Sequence, residues 1–310
     1  MKTSNPFKSD IQTVRALSLA QLMDKALRMK LKRRGDKFSL CNIFNAKSGL
    51  CSEDCGFCIQ SSHYGSNIKS YPLKPVGDIV AAARFAERTG AHHFSIVTSG
   101  RGPTPEEVAA VADAVAEIRS HVRIKVCASL GIMNRRDLEV LKNAGLSRYH
   151  HNIETSKEFF PKIVTTHSFA DRIDTISAAR EAGLEVCAGG IFGLGESEDD
   201  RVSMAMTLKE YKVDSVPLNI LIPGPGTPLR HARPPAVIEI LRAIALFRLI
   251  LEKGSIRLAA GREAVLGDFL GMAFMGGADG LMIGGYLTRQ GRPPEDDLGF
   301  VRDMKEIWTA

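Results

Sequence analysis

Three cysteines fall within eight residues, in Cys51-Ser-Glu-Asp-Cys55-Gly-Phe-Cys58, and three more, Cys41, Cys127 and Cys187, are scattered along the chain. A compact loop carrying three thiolates can wrap one face of an iron–sulfur cubane and leave the fourth iron without a protein ligand. That open iron takes an exogenous chelator, and the amino and carboxylate groups of S-adenosylmethionine (SAM) supply one. Electron transfer into the sulfonium then breaks a carbon–sulfur bond and releases a 5′-deoxyadenosyl radical. The competing reading is a structural zinc site with His63 as fourth ligand. Zinc sites pair two close ligands with a distant second pair, and no second Cys-x-x-Cys or His pair follows here.

Side chains of this kind need a rigid frame. Short β-rich segments alternate with helical ones. The strand candidates are 40–45, 93–98, 123–128, 148–153, 184–188, 215–221, 255–259 and 280–283, and helical patterns include 105–119, 134–144, 170–182 and 235–252. Eight strands separated by helices are the arithmetic of an α/β fold of the (β/α)8 TIM-type barrel, which places active-site loops after the strands, where the cysteine loop lies. The chain of 310 residues reads as one barrel domain: residues 1–36 as an N-terminal helical extension with a helix from about Val14 to Arg33, 37–287 as the barrel, and 288–310 as a C-terminal extension. Thr104 ahead of Pro105-Glu-Glu is a helix-opening signature.

With 44% apolar and 25% charged residues and a net charge of +6, the composition is that of an ordinary globular protein. The most apolar stretch, 236–251, is interrupted by Glu239, Arg242 and Arg248, so no membrane span is expected. Lys2 and Lys8 have no apolar stretch behind them, which argues against a secretory signal and for a cytoplasmic protein. Six cysteines in a reducing compartment suggest metal binding or catalysis rather than disulfides. Lys25, Arg28, Lys30, Lys32, Arg33 and Arg34 read as a solvated helix face. Without interleaved aromatics they do not indicate nucleic-acid binding.

The motif Cys51-x-x-x-Cys55-x-Phe57-Cys58-x-Gln60-Ser61-Ser62 resembles the cluster loop of radical SAM enzymes, specifically biotin synthases. The similarity runs nearly end to end, through His151-Asn152-Ile153-Glu154-Thr155-Ser156, Thr165-Thr166, Cys187 to Glu196, Pro217-Leu-Asn219, Pro223 to Pro228 and Arg257 to Glu263. The resemblance implies conversion of dethiobiotin to biotin by radical sulfur insertion. The cofactors it implies are a 4Fe–4S cluster at Cys51, Cys55 and Cys58, SAM, and an auxiliary iron–sulfur cluster that donates the sulfur.

The resemblance also implies site roles. Phe57, Asn152, Glu154, Arg172, Gly189 and Gly190 are expected to bind SAM, and Asn152 and Asn219 the substrate, with Asn152 and Arg257 in the catalytic set. Cys127, Cys187 and Arg257 match three auxiliary-cluster positions. The fourth is Ser95, a departure, and an inward-pointing Cys41 would complete a set of three thiols and favour a 4Fe–4S-type over a 2Fe–2S auxiliary cluster. Each residue also has a plainer reading. Phe57 could be core packing, Asn152 and Glu154 strand-end capping, and Arg172 a surface arginine. Cys41 could be an inert buried thiol, and the glycines could serve tight turns. Where relatives usually carry asparagine, His150 stands here. The implied partners are dethiobiotin, an electron donor such as flavodoxin or ferredoxin, and a second copy of the chain in a homodimer. Ser95 and His150 keep open lipoyl-type sulfur insertion into octanoyl groups on a carrier protein. A non-catalytic iron–sulfur protein is the alternative outside enzymes.

Overall fold

The computed structural model describes residues 6–310, with side chains from Ile11 onward, so the side chains of Lys2 and Lys8 lie outside the described residues. Nine parallel strands form one sheet: β1 (Ser39–Lys47), β2 (His93–Thr98), β3 (Lys125–Ser129), β4 (Arg148–His150), β5 (Glu185–Cys187), β6 (Gly190–Phe192), β7 (Ser215–Ile220), β8 (Ser255–Leu258) and β9 (Gly280–Met282). Their order is β5-β4-β3-β2-β1-β9-β8-β7-β6, and a β5–β7 pairing closes the ring. β5 and β6 are two pieces of one stave, so the molecule is the expected (β/α)8 barrel.

The break in that stave has a local cause. A Cβ on Gly189 would sit 1.9 Å from the Pro217 carbonyl oxygen, and one on Gly190 would sit 2.3 Å from that of Glu154. Backbone therefore crosses backbone where only glycine fits. The same crowding ends β4 early. Beyond His150 the chain leaves regular pairing, and Glu154 takes a left-handed φ of 65° while its carbonyl accepts from Ile191 N at 2.9 Å.

Alternation along each strand sorts the residues into two sets. Phe94, Ile96, Val126, Ala128, Tyr149, Val216, Leu218, Ile256 and Leu258 belong to the core beneath the surrounding helices. Their neighbours Ser95, Cys127, Arg148, His150, Pro217, Asn219 and Arg257 point into the barrel. Barrel interiors are normally filled with branched aliphatic residues. Here thiols, guanidiniums and amides replace them, and a cavity of about 350 Å³ remains.

The N-terminal segment forms two helices, Pro6–Arg15 and Leu19–Arg34, rather than one, because Ser18 opens the second with a capping box to Gln21. Its basic cluster is not a uniformly solvated face. Lys30 is buried, Arg33 pairs with Glu252 (3.2 Å), and Arg34 pairs with buried Asp279 (2.6 Å). The C-terminal residues expected as an extension form the helix Pro294–Thr309. Its Trp308 stacks on Phe38 with ring centroids 5.6 Å apart, docking it on the barrel. Among the described residues, no helix is long and apolar enough to cross a membrane.

Candidate active site

The cavity runs from the deep part of the barrel to the cysteine loop. Cys41, Ser95, Cys127, Cys187, Arg148, Arg257 and His150 line its deep part. Phe57, Cys58, Asn152, Glu154 and Asn219 also line it. An adjoining pocket of about 150 Å³ is lined by Cys51, Cys55 and Arg172 and shares His150, Asn152 and Glu154 with the main chamber. Nearly every residue singled out in the sequence thus converges on one connected site. Gly189 and Gly190 line neither cavity, and the backbone crossing described above accounts for their lack of side chains. The crossing gives both glycines a packing role in the barrel wall.

The cysteine loop is held by acidic residues that the sequence pattern alone does not mark. Asp54 accepts from the backbone of Thr165 (2.9 Å) and Thr166 (3.1 Å). Glu53 accepts from Thr166 Oγ1 at 2.8 Å, contacts His167 Nδ1, and lies 3.4 Å from Arg101. Gln60 Oε1 closes the loop by accepting from Gly49 N at 2.6 Å. The matched pair Thr165-Thr166 is therefore the fixed base to which the loop is tied. Burial pushes the Cys58 thiol up to about 11 and raises that of Cys55, so these two stay neutral thiols until a cation takes them as thiolates. His63, the ligand a zinc site would require, lies with Nε2 2.9 Å from the Ser52 carbonyl. Among the described residues no three ligand side chains converge on a single metal-ion position.

Beside the loop, Arg172 is buried and is no surface residue. Its Nη1 donates to the Asn152 carbonyl at 2.9 Å and lies 3.6 Å from Glu154 Oε1, while its Nε is buried without a partner. Asn152 Nδ2 donates to Glu154 Oε2 at 3.2 Å, and its Oδ1 accepts from Gly189 N at 3.0 Å. Burial raises the Glu154 carboxyl, against the opposing pull of Arg172. A strained backbone at such a carboxylate costs about 1–3 kcal/mol and persists only where surroundings over-determine it. Asn219 is fixed at both ends, donating to the Gly190 carbonyl and accepting from Ala260 N, each at 3.2 Å. Those bonds use one N–H and one lone pair of its amide, which lines the chamber and retains a second of each.

In the deep part, Cys41 does point inward and shares the chamber with Cys127 and Cys187. Burial pushes Cys127 up to about 12 and raises Cys41. Cys187 goes the other way. Burial alone would raise it, but His150 (Nδ1 to Sγ 3.3 Å), then Arg257 and Arg148, bring it down to about 6. Arg257 donates to Ser39 Oγ at 3.0 Å and reaches within 4.0 Å of Cys187 Sγ. Arg148, which no sequence motif singles out, pairs with Glu185 at 2.5 Å and leaves Nη1 buried without a partner, as Arg257 leaves Nε. Two guanidiniums with idle donors beside three thiols form a cationic chamber that suits a sulfide-bearing anionic group.

Residues 47–208 match the Radical SAM superfamily, and residues 217–305 match the Biotin and Thiamin Synthesis associated domain. A biotin synthase from Thermotoga petrophila is 45% identical over 298 residues, covering 96% of this chain and 98% of that protein. One from Heliobacterium modesticaldum is 48% identical over 283 residues, covering 91% and 87%. The chain belongs to the biotin synthase family. It is accordingly a radical SAM sulfurtransferase whose cofactors are a 4Fe–4S cluster, SAM and an auxiliary iron–sulfur cluster. Among solved structures, a methylornithine synthase superposes with a TM-score of 0.82 at 19% identity, covering 96% of this chain and 92% of its own. An FeFe-hydrogenase maturase from Carboxydothermus hydrogenoformans superposes with 0.80 at 17% identity, covering 96% and 77%. These two report the shared barrel alone.

Proposed function

We propose that this chain converts dethiobiotin to biotin inside the barrel, with the roles of individual residues set by their place along the chamber. When bound, the loop cluster with SAM supplies a carbon-centred radical that removes substrate hydrogen, and the auxiliary cluster supplies sulfur. Cys51, Cys55 and Cys58 hold the first cluster, on a loop kept rigid by Glu53 and Asp54. Asn152, Glu154 and Arg172 bind SAM between loop and barrel, with the side-chain-free backbone of Gly189 and Gly190 approaching it. Glu154 accepts from hydroxyl donors, Arg172 offers its unpartnered Nε to a carboxylate, and Phe57 lies against the adenine. Asn219 and Asn152 orient the cyclic urea of the substrate, which needs both a donor and an acceptor. Cys41, Cys127, Cys187 and Arg257 hold the auxiliary cluster, for which three thiols favour the 4Fe–4S type over 2Fe–2S. Ser95 stands beside it without a thiol to offer. Arg257 also takes part in catalysis by holding the sulfur source in place.

The observation that carries this reading is the convergence of two separate three-thiol sets on one connected cavity, with Asn152 and Glu154 between them. Residues 37–287 act as one barrel, braced by the described part of the N-terminal extension, 6–36, and by the C-terminal extension, 288–310. All six cysteines are free, which suits a cytoplasmic enzyme reduced by flavodoxin or ferredoxin and working as a homodimer. An anaerobic single-turnover assay tests the function: reductant, SAM and dethiobiotin are supplied, and biotin and 5′-deoxyadenosine are followed by mass spectrometry. Biotin with about two deoxyadenosines is expected, one for each hydrogen removed. Deoxyadenosine with no thiolated product would eliminate dethiobiotin as the substrate and turn attention to octanoyl groups on carrier proteins.

A further inference from the structure

The deep end of the chamber has a neighbour that the roles above leave unused. At the opposite face of the barrel from the cysteine loop, where the strands begin, lies a cavity of about 480 Å³. Exposed Lys37, Lys125 and Lys305 stand around it, and Arg34 and Arg148 lie deeper. Two carboxylates oppose these five cations, Asp36 and Asp214. Asp214 is already taken, by Val186 N at 2.8 Å and Arg180 at 3.2 Å. Arg34 is likewise paired with Asp279, and Arg148 with Glu185 through Nε and Nη2, so the idle positive charge belongs to the three lysines and the idle donor to Arg148 Nη1.

Arg148 lines both this cavity and the chamber of thiols, so its side chain borders the two at once. A second link runs through Ser39, which lines the basic cavity and accepts from Arg257 inside the chamber. His93 lines the cavity too. It is 8% exposed, sits opposite Cys41 in strand register, and has both ring nitrogens buried with no partner. Leaving a buried donor unmade costs about 1–3 kcal/mol. His93, Arg148 Nη1 and Arg257 Nε form a run of such groups from the basic cavity to the three thiols. A fold that spends this much on idle donors beside a basic mouth is arranged for a small anion passing between them.

We propose that this cavity is an entry port for hydrosulfide, which passes His93 and Arg148 to reach the chamber of Cys41, Cys127 and Cys187 without using the mouth where SAM and substrate enter. The inference rests on the reading of that chamber as the site that gives up sulfur. Hydrosulfide is a small monoanion, and its sulfur is already at the sulfide level, so delivery needs no oxidant or reductant. A port at the far end would let sulfur be restored while the mouth is filled.

The test uses the fully loaded enzyme after one anaerobic turnover, with SAM and dethiobiotin replenished and [35S]hydrosulfide added as the probe. The readout is radioactivity retained by the protein as acid-labile sulfide. Lys37→Glu/Lys125→Glu/Lys305→Glu reverses the charge of the mouth using exposed residues that take no part in catalysis. Loss of steering should slow uptake at least about tenfold. First-turnover biotin and deoxyadenosine should stay unchanged, and added bromide should slow uptake by the native protein. Equal uptake in the two proteins would overturn the port. So would uptake by the native protein that stops once SAM and dethiobiotin fill the mouth, or no uptake at all. Absence of first-turnover biotin from the native protein would instead refute the sulfur-insertion reading, a separate measurement from label uptake.

Discussion

Glu53 offers a sharp test of how the cysteine loop is built. Glu53 lies between Cys51 and Cys55 in sequence, its side chain is buried, and one carboxylate oxygen serves Thr166 Oγ1, His167 Nδ1 and, more distantly, Arg101. Glu53→Gln keeps the shape and removes the charge. A hydrogen bond to a charged group contributes about 1.5–3 kcal/mol, against about 0.5–1.5 for a neutral one, so two weakened bonds cost about 2 kcal/mol. If the amide instead turns its NH2 toward these donors, an unsatisfied group adds about 1–3 kcal/mol more. The expected loss is therefore about 2–5 kcal/mol. At about 2 °C per kcal/mol for a large domain, the Tm of the cluster-free protein should fall by about 4–10 °C. Because the loss lies in the loop, iron retained by Cys51, Cys55 and Cys58 after gel filtration should fall with it. Differential scanning calorimetry and iron analysis read the two effects. A variant with the native Tm and the native iron content would refute the claim that Glu53 pins the loop.

Three further outcomes follow from other parts of the structure. Cys41→Ala should lower bound iron from about eight to about four per chain, since a cubane carries four irons; an unchanged count would remove Cys41 from the auxiliary set. Gly190→Ala should cost at least about 3 kcal/mol, because its Cβ would meet the Glu154 carbonyl at 2.3 Å; a Tm within about 2 °C of the native value would contradict the crossing of the broken stave. Burial holds the Lys30 ammonium down to about 7, over the Trp308 ring. The unfolded chain keeps that proton to about 10.5, so between pH 7 and 10 the unfolded state binds more protons and stability should rise with pH, by up to about 1.4 kcal/mol per unit. Lys30→Met should abolish that part of the rise in urea melts at pH 7 and 9, and parallel curves for the two proteins would disprove it.

Much of the barrel is legible in the sequence because its strands begin at residues the pattern marks. His93, Arg148, Ser215, Ser255 and Gly280 open their strands as expected. The fifth stave reads as a single strand, 184–188, because nothing local reveals that Pro217 and Glu154 approach Gly189 and Gly190 from elsewhere in the chain. The helices Val76–Arg88 and Glu198–Glu210 fall between strands, where the alternation calls for them, and Pro294–Thr309 reads as an appendage although Val301, Met304 and Trp308 recur at helical spacing on its buried face. At the site, the cysteine spacing and the strand alternation of Asn152 and Glu154 are enough to place them. Arg148, Glu53 and Asp54 are not legible in this way, since what they do depends on Glu185, Thr166 and Thr165, up to 113 residues distant. Arg172 stays undecided between ligand and surface in the sequence because a helix position alone does not show that Asn152 and Phe160 enclose it.

The central claim is that sulfur leaves the chamber of Cys41, Cys127 and Cys187 and arrives in biotin. It is tested most directly by rebuilding the clusters with [34S]sulfide, removing free sulfide, and running one anaerobic turnover with dethiobiotin and SAM. The account predicts biotin carrying 34S, with formation prevented by Cys127→Ala or Cys187→Ala while deoxyadenosine still forms. Biotin formed with unlabelled sulfur, or labelled biotin from either variant, would contradict it.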